Sequence, residues 1–202
     1  MTDMTFKLSG ALPALLFASV ISLGACISTA TTAPTSAIAQ QASAAAISRD
    51  QVIAAQNAWG DALVSISTIY DNSGIQAATR TAETVIDSAY GYAWGPVLFK
   101  PTLTTAPQTF RTTREGALAY FVGSNAKFPG DTGFALKHWR SYKIENAAIF
   151  IDGDIAISMG NVHFTDRDGN VTVVDKTWGY KLDTDGNLRI VLHHSSLPYK
   201  PN

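Results

Sequence analysis

From residue 48 onward the chain carries two different hydrophobic rhythms, one after the other. Apolar residues at Val52, Ala55, Trp59, Ala62, Leu63, Ile66, Ile69 and Tyr70 recur at steps of three and four, the period of a helix with one buried face. Ser48 and Gln51 stand at its start with the spacing of a capping box. A second, shorter helix is predicted over residues 75–90, with Ala78, Ala82, Val85, Ile86 and Ala89 on one side and "GYAWGP" as its breaker. "VLFKPT" (97–102) reads as a strand cut by Pro101, and Thr113 is placed to cap a third helix, "REGALAYFVG". Beyond Gly133 the period falls to two. "KHWRSYKIEN", "AISMGNVHFT", "VTVVDKTWGYKL" and "LRIVLHHSS" are predicted strands, separated by "DGD", "DRDGN" and "DTDGN", whose Asp, Asn and Gly suit hairpin turns. Helices followed by a meander predict an α+β domain, with the helices packed on one face of a curved antiparallel sheet.

The first 47 residues follow neither rhythm. Residues 1–27 hold one basic residue, Lys7, and then the uncharged run "LSGALPALLFASVISLGACI", the pattern of an export signal. Within it "LGAC" (Leu23 to Cys26) resembles a bacterial lipobox, so Cys26 is the expected lipidation site; ordinary cleavage near "AIAQ" (37–40) is the alternative. Residues 28–47, small and polar, read as a disordered Ala/Ser/Thr tether. The expected location is the periplasm, with membrane contact only through the lipid anchor or an uncleaved signal. Residues 48–202 then suit a single domain.

Composition removes several chemistries. Cys26 is the only cysteine, so the domain has no disulfide, thiolate nucleophile or cysteine-bound zinc. A formal charge of -1 without a basic run argues against nucleic acid as a partner. The Asp-rich turns do not fit an EF-hand: "DRDGNVTVVDKT" has glycine at position four and threonine at twelve, where that loop takes glycine at six and glutamate at twelve. His138 and His163 sit among aromatic and apolar neighbours and read as structural.

The terminal strand carries the densest chemistry. Alternation places Leu188, Ile190, Leu192, His194 and Ser196 on one face and Arg189, Val191, His193 and Ser195 on the other. Each face holds one histidine and one serine, so spacing leaves the functional pair open.

The phrases "LFKPT", "GALAYFVG", "DTGFALKHW", "MGNVHFTD", "TWGYK" and "LRIVLHHSSLPY", in that order over residues 48–199, resemble the iota-class carbonic anhydrases. Their domain is similar to the association domain of calcium/calmodulin-dependent kinase, within the NTF2-like superfamily. The resemblance implies an NTF2-like cone with a pocket between long helix and sheet, a homodimer, and reversible hydration of carbon dioxide to bicarbonate, the reaction of a carbonate dehydratase (a lyase). Members differ over metal, some being metal-free and others dependent on zinc or manganese; no cofactor is expected here. Carried onto this sequence, the site is Thr102 of "KPT", Tyr120 of "ALAYF", and His193 with Ser195, which chooses between the two faces. Thr102, Tyr120 and Ser195 would hold bicarbonate oxygens and the attacking water. His193, with a reference pKa of about 6.5, would take or relay the proton. His138 before Trp139, and Val162 with His163, depart from the common family pattern. Two other functions suit the same fold: a non-catalytic binding or oligomerisation module, and an isomerase using a pocket carboxylate drawn from Asp131, Glu145 or Asp175.

Overall fold

Ser48 begins the domain by a reciprocal cap: its side chain accepts from the Gln51 amide at 3.2 Å while Gln51 accepts from the Ser48 amide at 2.8 Å. The computed structural model describes residues 46–201. The expected export signal, the expected lipidation site Cys26 and nearly all of the expected tether lie outside the described residues. Helix α1 runs Arg49–Ala89, with a break in its backbone angles at Gly74 (φ 78°, ψ -177°). The two helices expected from the periodicity therefore meet at one residue without a loop, a conformation that glycine adopts at little cost. Val52, Trp59, Leu63 and Ile66 bury one face before the break, and Ala78, Ala82 and Ile86 bury one after it. Gln56 is buried among them, and its amide bonds to Asn146 and to Ser158, each at 2.9 Å.

Strand β1 (Leu98–Lys100) precedes α2 (Arg114–Val122), which Thr113 caps through the Gly116 amide. After a short 3-10 turn, Phe134–Leu136, come β2 (Trp139–Asp152), β3 (Ile155–Asp166), β4 (Val171–Leu182) and β5 (Leu188–Ser196). The sheet order is β1-β5-β4-β3-β2, antiparallel except for the parallel β1–β5 pair. This is the expected α+β architecture.

Three register shifts depart from strict alternation, the first of them at Arg140 where β2 begins. In β2 the pairing skips Ala147, stepping from Asn146↔Gly160 to Ala148↔Met159, and the strand continues through "AIFID" instead of stopping at Asn146. In β5 the partners step from Gly179↔Leu192 to Tyr180↔Ile190, leaving Val191 as the extra residue. An inserted residue reverses the parity of everything beyond it. Ile190 therefore shares the buried face with His193 and Ser195, where plain alternation had placed it opposite them. At Gly160 a Cβ would lie 2.0 Å from the Glu145 carbonyl oxygen, so the β2 bulge closes only over glycine.

The Asp-rich turns spend their carboxylates on their own loops. Asp166 accepts from the amides of Asp168 and Asn170, both at 2.9 Å, and Asp183 accepts from those of Asp185 and Asn187 at 3.0 and 2.7 Å. Among the described residues no cluster of three His, Cys, Asp or Glu side chains could hold a metal ion.

Candidate active site

The inner face of the sheet is apolar at Ala156, Val162, Phe164, Val174, Trp178, Tyr180 and Ile190, yet it also buries Lys176, His193 and Ser195. Polar groups buried beside aromatic rings need partners. The pairing register brings them together: His193 lies between Phe99 of β1 and Trp178 of β4, and Ser195 lies opposite Lys176.

Thr102 follows Pro101, which ends β1, and its hydroxyl donates to Ser195 Oγ at 2.7 Å. Lys100 fixes the same corner by donating to the Ser195 carbonyl at 3.0 Å. Tyr120 comes from the buried side of α2, its ring stacked on Phe134 and edge-on to Phe99. Its hydroxyl is buried without a hydrogen-bond partner among the described residues. Burial raises its pKa, while the nearby Thr102 side chain and the amides of Leu103 and Thr102 pull it down; none of these reaches the oxygen in hydrogen-bonding geometry. Thr102, Tyr120, His193 and Ser195 thus line one cavity, together with Trp59, Phe99, Phe121, Phe134 and Lys176. About 170 Å³ of space lies between these atoms, divided too finely to hold a free water-sized sphere.

Of the two histidines of "HHSS", His193 is buried and His194 exposed. Both nitrogens of His193 are occupied: Nδ1 lies 2.8 Å from the Tyr90 hydroxyl and Nε2 lies 2.9 Å from Lys176 Nζ. Trp59 Nε1 in turn donates to Tyr90 at 2.9 Å. The imidazole stacks on Phe99 with ring centres 4.5 Å apart. Burial, then the charges of Lys176 and His194, push its pKa well below the usual histidine value. The three hydroxyls and the histidine are therefore assembled as expected, but the imidazole faces Tyr90 and Lys176 with its nitrogens and the cavity with its ring.

Lys176, Tyr90 and Trp59 did not emerge from the sequence as site residues. Lys176 carried a readable signal, since it occupies the apolar parity of Val174, Trp178 and Tyr180 in β4. Its ammonium position lies 4.3 Å from the centre of the Trp59 ring, and burial lowers its pKa to about 7. Tyr90 sits one residue beyond α1, where the helix cap turns it inward.

The remaining candidates are engaged elsewhere. His138 bonds to Asp71, and His163 to Glu145 at 2.8 Å. Asp131 forms a two-pronged pair with Arg111, and Asp175 accepts from Asn161 at 2.8 Å. None of Asp131, Glu145 and Asp175 lines the cavity, and among the described residues it holds no carboxylate to serve as the base of an isomerase. Nor does the cavity's donor set fit zinc or manganese: it offers hydroxyls, an amine and one imidazole whose nitrogens are both engaged, where a zinc centre takes three or four N, S or carboxylate ligands.

Comparison with known proteins agrees with this geometry. Residues 50–197 match the family model described as metal-independent carbonic anhydrase. A protein of that name from Nostoc sp. is 61% identical over 155 residues, covering 77% of this chain and 76% of its own. A crystal structure of a cyanobacterial iota-carbonic anhydrase complexed with bicarbonate superposes with a TM-score of 0.77 at 61% identity, covering 77% of this chain and 95% of that one. A structure from Xanthomonas campestris described as a calcium/calmodulin dependent protein kinase II association domain shares the fold, with a TM-score of 0.50 at 23% identity over 75% of this chain and 88% of its own. With a buried hydroxyl cluster in place and these likenesses spanning its folded domain, the chain belongs to the metal-independent carbonic anhydrase family.

Proposed function

We propose that this chain is an iota-class carbonate dehydratase, a lyase that interconverts carbon dioxide and bicarbonate in the cavity between α1, α2 and the sheet. The observation that carries the reading is the convergence of three buried hydroxyls from three separate elements on one aromatic-walled space. Thr102 spends its proton on Ser195, which leaves the hydroxyl protons of Ser195 and Tyr120 for a ligand. As water oxygen bonds to the carbon of carbon dioxide, negative charge develops on the two original oxygens. The two O–H donors stabilise that charge by hydrogen bonding to it. The rings of Trp59, Phe99, Phe121 and Phe134 keep bulk water out and strengthen those bonds. Because the space is narrow, the Thr102–Ser195 bond opens as bicarbonate enters.

A homodimer is part of the same proposal. On the outer face of the sheet, Leu98, Leu192, Gly179, Ile157 and Phe150 are successive cross-strand partners and form a row across all five strands. Leu98, Ile157, Phe150 and the adjacent Met159 are exposed. Such an apolar stripe suits burial against a second copy.

Stopped-flow hydration of carbon dioxide by the chelator-treated protein tests the activity. Turnover undiminished by chelation and a dimer on sedimentation are expected. Absence of hydration would overturn the reaction, and a monomer would overturn the pairing.

A further inference from the structure

The contact between Lys176 and His193 sets two basic nitrogens 2.9 Å apart with no carboxylate among the described residues paired to either. Lys176 is 3% exposed and His193 is 1% exposed. Two positive charges at that distance in a dry site repel strongly, so the pair carries at most one added proton.

Counting hydrogens identifies the resting form. The indole of Trp59 can only donate, so the Tyr90 oxygen accepts from it. Were Lys176 an ammonium, it too could only donate, and His193 Nε2 would have to accept. A neutral imidazole would then carry its proton on Nδ1 and donate to Tyr90, whose own hydroxyl proton would have no acceptor among the described residues. With Lys176 a neutral amine, Nε2–H donates to Nζ, the Tyr90 hydroxyl donates to Nδ1, and each proton on the line from the Trp59 indole to Nζ has a receiver. Burial acts in the same direction, lowering the pKa of Lys176 to about 7.

We propose that Lys176 and His193 act as one proton-holding unit, which takes the proton released when water adds to carbon dioxide and returns it in the reverse reaction. This rests on the carbonic anhydrase reading. Lys176 lines the cavity alongside Thr102, Tyr120 and Ser195, and rotation about its Cε–Nζ bond turns the nitrogen lone pair toward them. The water oxygen–carbon bond forms, one C=O electron pair moves onto oxygen, and the water proton passes to Nζ, whose ammonium then donates to the bicarbonate while His193 stays neutral. The other titratable groups facing the unit are Tyr90 and Tyr92 after α1, Tyr120 of α2, Tyr180 of β4 and His194 of β5. Each of the tyrosines has its pKa raised by burial and stays neutral near pH 7.

The unit must be free of its added proton to promote hydration, so kcat/KM for carbon dioxide rises with pH and levels off above the titration of the pair. In Lys176→Met the rising limb moves at least one pH unit toward acid, because lone His193, still buried, holds a proton less well, and the plateau falls about 10-fold. In Lys176→Arg the permanent cation lowers hydration about 10-fold or more at every pH. A Met variant slowed equally at all pH values, with its midpoint unmoved, would reduce Lys176 to a structural role and overturn the proposal. The side-chain 15N shift of lysine gives a readout independent of turnover. One resonance that titrates near neutrality and is missing from Lys176→Met is expected, whereas Lys176 remaining an ammonium through pH 9 would overturn the proposal. A wild-type protein without hydration activity would instead remove the reaction, while the 15N titration still decides the state of the pair.

Discussion

Tyr120→Phe and Ser195→Ala each lower kcat/KM for carbon dioxide hydration by ~10²- to 10³-fold, the loss that follows removal of one donor from a site of developing negative charge. The Tyr120 change is the cleaner of the two. It deletes a single oxygen and keeps the ring packed on Phe134 and Phe99, with centroids 5.5 and 5.7 Å away. That oxygen is buried without a hydrogen-bond partner among the described residues. An unmade bond to a buried hydroxyl costs free energy, so the Phe variant should be no less stable than the wild type, and slightly more so. Lost turnover with retained or raised stability separates a substrate-binding hydroxyl from a packing group. Ser195→Ala differs, because it also leaves the Thr102 hydroxyl without its acceptor; a modest stability loss of about 1 kcal/mol accompanies the rate effect. Stopped-flow rates beside thermal unfolding of both variants check this. Wild-type turnover in both would remove Tyr120 and Ser195 from the reaction.

Asp131→Ala should destabilise the domain by ~3–5 kcal/mol in urea unfolding, the cost of leaving a buried guanidinium without its anion. Arg111 meets both oxygens of Asp131 at 2.7 Å, and both side chains are 3% exposed. The guanidinium also donates to the carbonyls of Gln108 and Phe110 and lies over the Phe128 ring. The Arg111 amide bonds to the Phe99 carbonyl at 2.8 Å. The pair thus ties the segment between β1 and α2, which presents Thr102, to the segment between α2 and the 3-10 turn. Hydration should fall along with stability. An Arg111→Met, Asp131→Leu double variant should recover much of the stability, since the two changes share one interaction. A single variant within 1 kcal/mol of the wild type would show that the pair does not hold this loop.

The parts of the fold written as local pattern were legible. The α1 period, the Ser48–Gln51 cap, the Thr113 cap and the Asp–Gly turns each depend on residues within a few positions of one another, and each is present. What escaped were features that local pattern does not encode. The extra residues at Ala147 and Val191 shift parity with no mark on their own strands, the glycines that admit them (Gly160 and Gly179) lying on the partner strands, so alternation alone ends β2 early and puts Ile190 on the opposite face. Lys176 sat at a buried parity, but a lysine between Asp175 and Thr177 reads as a solvated charge until its apolar neighbours on alternate positions are counted. Thr102 and Tyr120 lie on a loop and a helix far in sequence from β5. They came from the family resemblance, because spacing carries no information about which distant elements converge. Tyr90 needed the helix end to be located to the residue before its inward turn could be seen.

The structure of the protein with bicarbonate bound addresses the central claim most directly. The anion is expected in the cavity over Phe99, with its oxygens ~2.6–3.2 Å from Ser195 Oγ, the Tyr120 hydroxyl and Thr102 Oγ1, and with the direct Thr102–Ser195 bond opened. Bicarbonate held elsewhere, for instance in the groove lined by Ala54, Ala58, Ala62 and Arg189, with the Thr102–Ser195 bond intact, would contradict it.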